Sequence, residues 1–155
     1  LGDSMVHAEA EIHVERSPEQ ILRWVVDLDR YKRADQKITK VIDRPVLDAT
    51  GRGVARYRGQ LRGLPTPVDT NLVSLKEWES LTFRGAPGVW TRRFVDFAGT
   101  FECTTCGDGW TLLRHSETFA FHPASVERLA AVLLGPWLQR EIETEVQRLK
   151  ELIES

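Results

Sequence analysis

His115 and Glu117 are the pair of residues in this sequence that is best placed for acid/base chemistry. They stand in a segment whose large apolar residues Leu113 and Phe119 share their odd parity, and alternate residues of a strand point to one face. Two ionisable groups are therefore expected on an apolar face, with Cα atoms roughly 6.6 Å apart, where the histidine could exchange a proton near neutral pH. The alternative is that they bond to each other, or to Arg93, and only satisfy a polar patch in the core.

Arg93 is the third candidate catalytic residue, because it shares its parity with Phe97 and Phe101 on the strand before. From inside a cavity it could bind a carboxylate or steady developing negative charge. The alternative is a surface arginine near a strand end. Arg56 faces outward in the predicted register, so no catalytic role is assigned to it.

Cys103 and Cys106 have the spacing of half a metal site or of a redox pair. No second pair accompanies them, no histidine is near in sequence, and no βαβ pattern surrounds them, so incidental thiols at a strand end are favoured. The chain also has no Gly-rich phosphate loop, nucleophile elbow or HExxH motif. We therefore expect neither a bound metal nor a cofactor.

A long amphipathic helix over residues 123–155 is the first element needed to position these side chains. Its apolar residues recur in steps typical of one helical face, and the proline of Gly135–Pro136 predicts a kink. Some thirty residues at about 1.5 Å each need a broad apolar partner. The residues of this predicted face are Val126, Ala130, Leu133, Trp137, Ile142, Val146, Leu149 and Ile153.

The rest of the chain predicts strands and two short helices. Residues 6–15 alternate apolar and polar; Ser17-Pro-Glu-Gln then marks a helix start, and Asp29 is expected to cap a second helical turn. Turn signals divide the remainder into short antiparallel strands. The predicted fold is α+β, with a curved, seven-stranded antiparallel sheet wrapped around the long helix. The other six strands are expected at residues 37–46, 53–62, 68–76, 81–85, 89–104 and 110–121.

Alternation also predicts which faces are buried in the middle of the sheet. Ala55 and Tyr57 are expected to face inward. The strand from residue 68 is ambiguous, because Asn71 goes with one apolar set and Leu72 with the other. Either face of that strand could therefore be the inner one.

The composition indicates one globular domain. Hydrophobic residues make up 41% and charged residues 28% of the chain, and the net charge is −2 with both signs interspersed. This balance excludes a disordered tail and gives no electrostatic footprint for nucleic acid or anionic lipid. No apolar run is long enough to span a membrane, so a cytoplasmic location without stable membrane insertion is expected. Residues 1–5 are expected to be a remnant of cloning and the chain start, and residues 6–155 a single domain.

Several of these segments together resemble a known family. They are the opening Ser17-Pro-Glu-Gln-Ile-Leu, the run from Val26 to Tyr31, the Gly51-Arg-Gly-Val hairpin, the Gly107-Asp-Gly turn and the C-terminal helix. The pattern resembles the START-like (SRPBCC) helix-grip superfamily, and within it the bacterial polyketide cyclase/dehydrase-like and lipid-transport-like proteins. The resemblance implies an elongated apolar cavity between sheet and helix. A tryptophan that often follows the equivalent of Tyr31 is replaced here, so the cavity mouth is expected to differ.

The resemblance implies a binding module for a hydrophobic or amphipathic small molecule, such as a lipid or polyketide. The alternative is a polyketide cyclase, aromatase or dehydrase that uses the acid/base residues named above. A regulatory protein that uses the outer sheet face is a third class. We expect no nucleic-acid partner and a monomer or homodimer. The residues expected to line the cavity are Trp24, Tyr31, Tyr57, Trp90, Phe97, Phe101, Leu113, Phe119, Leu133 and Trp137.

Overall fold

An antiparallel sheet and one long helix form most of the structure, a computed structural model that describes residues 5–155. The remnant expected at residues 1–5 lies, apart from Met5, outside the described residues. The helices are α1 (Pro18–Val26), α2 (Leu28–Tyr31) and α3 (Ala124–Glu154), with a 3₁₀ turn at Trp90–Arg93. The strands are β1 (Val6–Val14), β2 (Ile38–Asp43), β3 (Arg52–Leu61), β4 (Leu64–Pro65), β5 (Asp69–Lys76), β6 (Ser80–Gly85), β7 (Val95–Thr105) and β8 (Thr111–Phe121).

The sheet is curved and its strands follow the order β1-β8-β7-β6-β5-β3-β2, with every pair antiparallel. All seven predicted strands are present, which confirms the α+β prediction. The two-residue strand β4 is additional and pairs with β3 alone. It forms because Arg62 and Gly63 both have positive φ, the geometry of a tight hairpin turn that folds the chain straight back on itself.

The 3₁₀ turn stands where the start of one strand was predicted. The strand expected at residues 89–104 starts only at Val95. The hydroxyl of Thr91 donates to Oδ1 of Asp69 at 2.7 Å, and Arg92 forms an ion pair with Oδ2 of the same carboxylate. These bonds tie the turn to the first residue of β5, so its residues do not extend β7.

The N-terminal cap of helix α1 is the predicted one, whereas the cap of helix α2 is not. Helix α1 begins as predicted, because Ser17 Oγ accepts the Gln20 N–H at 3.2 Å and the Gln20 side chain accepts the Ser17 N–H at 3.0 Å. Helix α2 is capped by Asp27 and not by Asp29. Oδ1 of Asp27 accepts hydrogen bonds from the N–H groups of Asp29 and Arg30 at 3.1 and 3.4 Å, because Asp27 directly follows α1 and precedes the first residue of α2.

Helix α3 packs mainly against β1 and β8. Its C-terminal half buries the predicted face through Ile142, Val146, Leu149 and Ile153. The N-terminal half differs in part from the prediction, because Val126 and Leu133 of the predicted face are exposed whereas Ala130 is buried. The helix continues through Pro136, and the kink there stays a prediction. The exposed side chains are Val126, Leu129, Val132 and Leu133.

The middle strands present the predicted inner face. Ala55 is fully buried and Tyr57 partly so, which confirms the parity assigned to β3. On β5 the ambiguity resolves in favour of Asn71 and Val73, which are buried, whereas Leu72 is exposed. The interior of the sheet therefore contains polar groups from β5 and β8 as well as apolar ones.

Candidate functional site

His115 and Glu117 lie on the inner face of β8, as the alternation predicts. Their exposed fractions are 1% and 2%. On the neighbouring strands His115 is paired with Ala10 and Phe101, and Glu117 with Ala8 and Gly99. Three of these four neighbours, Ala8, Ala10 and Gly99, are small and leave room for the two polar side chains inside the sheet.

A buried charge cluster surrounds this pair, and Lys37 is at its centre. The Lys37 ammonium lies 2.8 Å from Oδ1 of Asp35, 2.7 Å from Oε1 of Glu145 and 3.2 Å from Oε1 of Glu117. The contacts with Asp35 and Glu145 are hydrogen bonds, and the contact with Glu117 is an ion pair. The buried charge cluster consists of Asp35, Lys37, His115, Glu117 and Glu145.

His115 is held in its protonated form. Its Nδ1 donates a hydrogen bond to the carbonyl oxygen of Thr100 at 3.0 Å. Its Nε2 lies 2.9 Å from Oε2 of Glu145, and this contact is an ion pair without hydrogen-bond geometry. The ring also stacks on Phe101 at 4.0 Å. Burial lowers the pKa of His115, but the carboxylates of Glu145 and Glu117 outweigh burial and raise the pKa to about 10. This pKa keeps the histidine protonated at neutral pH, which does not favour the proton exchange expected for it there.

Glu145, on α3, joins the two cations of the cluster. Burial raises the pKa of its carboxyl, but Lys37 and His115 outweigh burial and hold this pKa well below its usual range. The hydroxyl of Tyr31 donates to Oε2 of the same carboxylate at 2.5 Å. The C-terminal helix is thus bonded through one ionised side chain to α2, β8 and the segment before β2.

Asp35 has a raised pKa within the cluster. Burial raises the pKa of its carboxyl most, and the negative charges of Glu145 and Glu117 raise it further while Lys37 lowers it, so the pKa is about 6. Above that pH the cluster holds three carboxylates against the two cations of Lys37 and His115. The cluster then has one negative charge in excess.

The main cavity of the protein, of about 420 Å³, adjoins this cluster. At its inner end it is lined by buried polar residues, namely Asp35, Lys37, Asn71 and Glu117. Its outer end is lined by side chains that are largely exposed, including Trp90 and Phe94 of the 3₁₀ turn and its C-cap. Aromatic and aliphatic side chains form the walls between the two ends: Tyr57, Leu61, Val95, Phe97, Phe119 and Phe121.

Two acceptor atoms at the inner end have no partner. Oε2 of Glu117 and Oδ1 of Asn71 are buried and make no hydrogen bond with any residue in the range 5–155. A buried acceptor without a donor costs about 1–3 kcal/mol of stability. Such atoms beside a cavity are typical of a site that a ligand or water completes. A small cavity of about 20 Å³, room for roughly one water molecule, lies next to Glu117 and His115.

The structure separates the ten residues expected at the cavity into groups. Tyr57, Trp90, Phe97 and Phe119 line the main cavity. Tyr31 and Phe101 line only the small cavity. The remaining four do not line either cavity: Leu113 and Trp24 belong to the core, Trp137 packs near β1, and Leu133 is 47% exposed. The physical reason is that the cavity lies between β3, β5, the 3₁₀ turn and β8, and not under the N-terminal half of α3.

Arg93 does not join His115 and Glu117. It lies on the 3₁₀ turn, where its side chain is exposed. Its predicted inward direction assumed strand alternation, which the turn does not follow. The buried cation beside the two residues is Lys37 instead.

Sequence reasoning missed three members of the cluster, and one of them had a visible signal. Glu145 follows Ile142 by three positions and precedes Leu149 by four, which places a carboxylate on the buried face of α3. Lys37 and Asp35 sit in the polar stretch after α2, where charged residues are ordinarily solvated. Nothing in their local pattern indicates burial.

His115, Glu117 and Glu145 also have ligand atoms within 4.8 Å of one another, a spacing that a metal ion could use. The Lys37 ammonium already contacts both glutamates, at 3.2 Å from Glu117 and 2.7 Å from Glu145. His115 would also have to lose the proton that Glu145 stabilises. The chain's own lysine and histidine therefore fill the role of the cation here.

The two cysteines are free thiols near the end of β7. Cys103 packs against the core, and burial raises the pKa of its thiol to about 12. A thiol with so high a pKa is a poor nucleophile and a poor metal ligand at neutral pH. Cys106 is exposed.

Comparison with known proteins establishes the family. The chain belongs to the family described as polyketide cyclase / dehydrase and lipid transport, whose model matches residues 5–154. This confirms the resemblance to START-like proteins. Family membership supports either hydrophobic-ligand binding or cyclase chemistry. Among curated protein sequences, none matches the chain.

Solved structures share the helix-grip fold. A protein from Thermus thermophilus is 18% identical, with a TM-score of 0.74 over 95% of this chain and 96% of that one. The Zhui aromatase/cyclase from Streptomyces is 13% identical, with a TM-score of 0.72 over 97% of each chain. The lipid transfer and protein localization domain of human StarD13 is 15% identical, with a TM-score of 0.65 over 96% of this chain and 79% of that one. Across residues 5–155, no helix has the length and apolar character needed to cross a membrane.

Proposed function

We propose that this protein binds an amphipathic small molecule in the main cavity. The observation that carries the proposal is the polarity of that cavity, whose walls are aromatic and aliphatic and whose buried inner end holds unpartnered acceptors. Its volume of about 420 Å³ falls within the range of small-molecule sites. An apolar body would pack against the walls while a polar group pairs at the inner end.

The exposed outer end supports entry of the ligand from solvent or from a membrane surface. Trp90 is 57% exposed and Phe94 is 56% exposed, so the residues at the cavity mouth are apolar and accessible. We also propose that the protein has no nucleic-acid partner, because its charges are interspersed and its net charge is −2. A monomer or homodimer in the cytoplasm is the assembly that we expect to carry the ligand.

The cyclase alternative has weaker support from the site. General acid/base catalysis needs a group that gains and loses a proton near the working pH. His115 stays protonated at neutral pH, and Arg93 is exposed away from the cluster. Asp35, with a pKa of about 6 and a place at the inner end, is the group that would have to carry proton transfer.

A cavity-filling substitution tests the proposed binding. Val95 lines the main cavity, so Val95→Trp should fill it and abolish the fluorescence enhancement of Nile red, a neutral apolar probe. Val54→Trp is the matched control, because Val54 is 46% exposed on the outer face of β3. Leu61→Trp fills the cavity from another strand if the first variant does not fold. Unchanged Nile red binding in both filled variants would contradict the proposal.

A further inference from the structure

The inner end of the main cavity accepts hydrogen bonds, and its lysine is enclosed by carboxylates. The Lys37 ammonium donates hydrogen bonds to Asp35 and Glu145 at 2.8 and 2.7 Å and forms an ion pair with Glu117 at 3.2 Å. An anionic head group would therefore have to compete with three carboxylates for this ammonium.

The unpartnered atoms on residues that line the cavity are both acceptors and indicate the opposite kind of head group. The other buried side-chain atoms without a hydrogen bond among residues 5–155 are nitrogens of Arg92 and His115, which do not line the main cavity. Oε2 of Glu117 is buried and unbonded within the described residues, although its partner oxygen Oε1 lies 3.2 Å from the Lys37 ammonium. Oδ1 of Asn71, also at the cavity wall, is likewise without a donor. Both atoms would be satisfied by a ligand that brings N–H or O–H groups.

The charge balance distinguishes an amine from a hydroxyl. The cluster contains the carboxylates of Asp35, Glu117 and Glu145 and the cations of Lys37 and His115, so three negative groups face two positive ones. The nearby Asp69 carboxylate is neutralised by Arg92 and leaves no spare charge. A ligand with one positive charge would balance the site, and a neutral alcohol would leave the imbalance in place.

We infer that the ligand of the main cavity is a primary amine on an apolar body, with its ammonium bonded to Oε2 of Glu117. This inference rests on the proposed function and specifies the ligand class of the same site. The aromatic walls suit the charge as well as the apolar body, because a cation close to an aromatic face is stabilised by the ring. Tyr57, Phe97 and Phe119 lie along the cavity between its mouth and Glu117.

A matched series of three probes tests the head group. Phenylhexylamine, phenylhexanol and phenylhexanoic acid share one apolar body and differ only at the polar end. Displacement of Nile red near neutral pH should show the amine binding at least about tenfold more tightly than the alcohol, with the acid weakest, because a charge-assisted hydrogen bond is stronger than a neutral one. The Glu117→Gln variant keeps the shape and removes the charge, so the advantage of the amine should disappear.

Glu102→Gln is the matched control, because Glu102 is exposed on the outer face of β7 and should leave the order of the probes unchanged. If the alcohol or the acid binds as tightly as the amine, or if Nile red binds and the amine does not displace it, the inference is overturned while the proposed cavity function stands. If neither Nile red nor any of the probes binds, the proposed function itself fails. The order of the three probes on the unaltered protein decides the inference even if Glu117→Gln does not fold.

Discussion

The protonated state of His115 predicts that the protein loses stability as the pH rises from neutral. The pKa of His115 is about 10 in the folded protein against 6.5 for an unperturbed histidine. Between these values the folded chain keeps a proton that the unfolded chain has released. The stability contributed by His115 is therefore complete below pH 6.5 and is lost as the pH rises through about 10.

The magnitude follows from the width of that window. Each pH unit costs about 1.4 kcal/mol for one proton, so between pH 6.5 and about pH 9 the free energy of unfolding should fall by about 3 kcal/mol. Asp35, with a pKa of about 6, titrates just below this range, and the thiol of Cys103, with a pKa of about 12 in the folded protein against an ordinary 9.0, adds to the fall only near the upper end. The other cation of the cluster, Lys37, and the Tyr31 hydroxyl bonded to Glu145 change charge at still higher pH, because their pKa values are raised well above 10.

Urea unfolding at several pH values measures this slope, and NMR of the imidazole reports its protonation directly. The His115→Gln variant should lose the slope and should be destabilised by about 3–5 kcal/mol near neutral pH, because it leaves buried carboxylates with one cation fewer. His13→Gln, on an exposed residue of β1, is the control and should keep the slope. A flat stability profile of the unaltered protein, or a neutral His115 ring at pH 8, would refute the reasoning.

Three further substitutions test the contacts of Arg92, the C-terminal helix and Tyr31. An added Cβ at Gly85 would lie 1.5 Å from Nη1 of Arg92, so Gly85→Ala should displace the guanidinium from Asp69. The free energy of unfolding, measured in urea, should fall by about 2 kcal/mol. Gly135→Ala is the control: it has open space around it and should stabilise the helix by up to about 1 kcal/mol. Equal stability of the two variants would contradict this placement of Arg92. Tyr31→Phe removes the donor to Glu145 and should cost about 2 kcal/mol, and a cost below about 0.5 kcal/mol would show that the bond is not formed.

The inner faces of the strands could be predicted because side chains alternate with a period of two wherever the chain stays in a regular strand. This rule alone places His115 and Glu117 inside the sheet, and it places Ala55 there as well. It fails at Arg93, where the chain leaves the strand for a 3₁₀ turn held by side-chain bonds to Asp69. The failure is local, because Phe97 and Phe101 of β7 point inward as the alternation predicts.

The charge cluster could not be predicted in the same way, because its members come from distant parts of the chain. Lys37 meets Glu117 and Glu145 only after the sheet has curved and α3 has docked. The one local signal is Glu145 itself, a charged residue at a position where the helix pattern calls for an apolar one. A charge on the buried face of a helix indicates a buried partner, but it does not say which residue that partner is.

A buried charge cluster of this size is costly, because each ion gives up its hydration and apolar residues of similar volume would pack at less expense. The distribution of its bonds indicates what the protein gains. Lys37, His115 and Glu145 hold α3, β8 and the segment before β2 together through ion pairs, and their shifted pKa values keep each of them charged near neutral pH. Glu117 differs, because one of its oxygens is held by Lys37 and the other is directed to no protein donor among residues 5–155. The cluster is therefore better suited to hold one carboxylate oxygen rigidly at the base of an apolar cavity than to perform acid/base catalysis, which favours recognition of a ligand over its conversion.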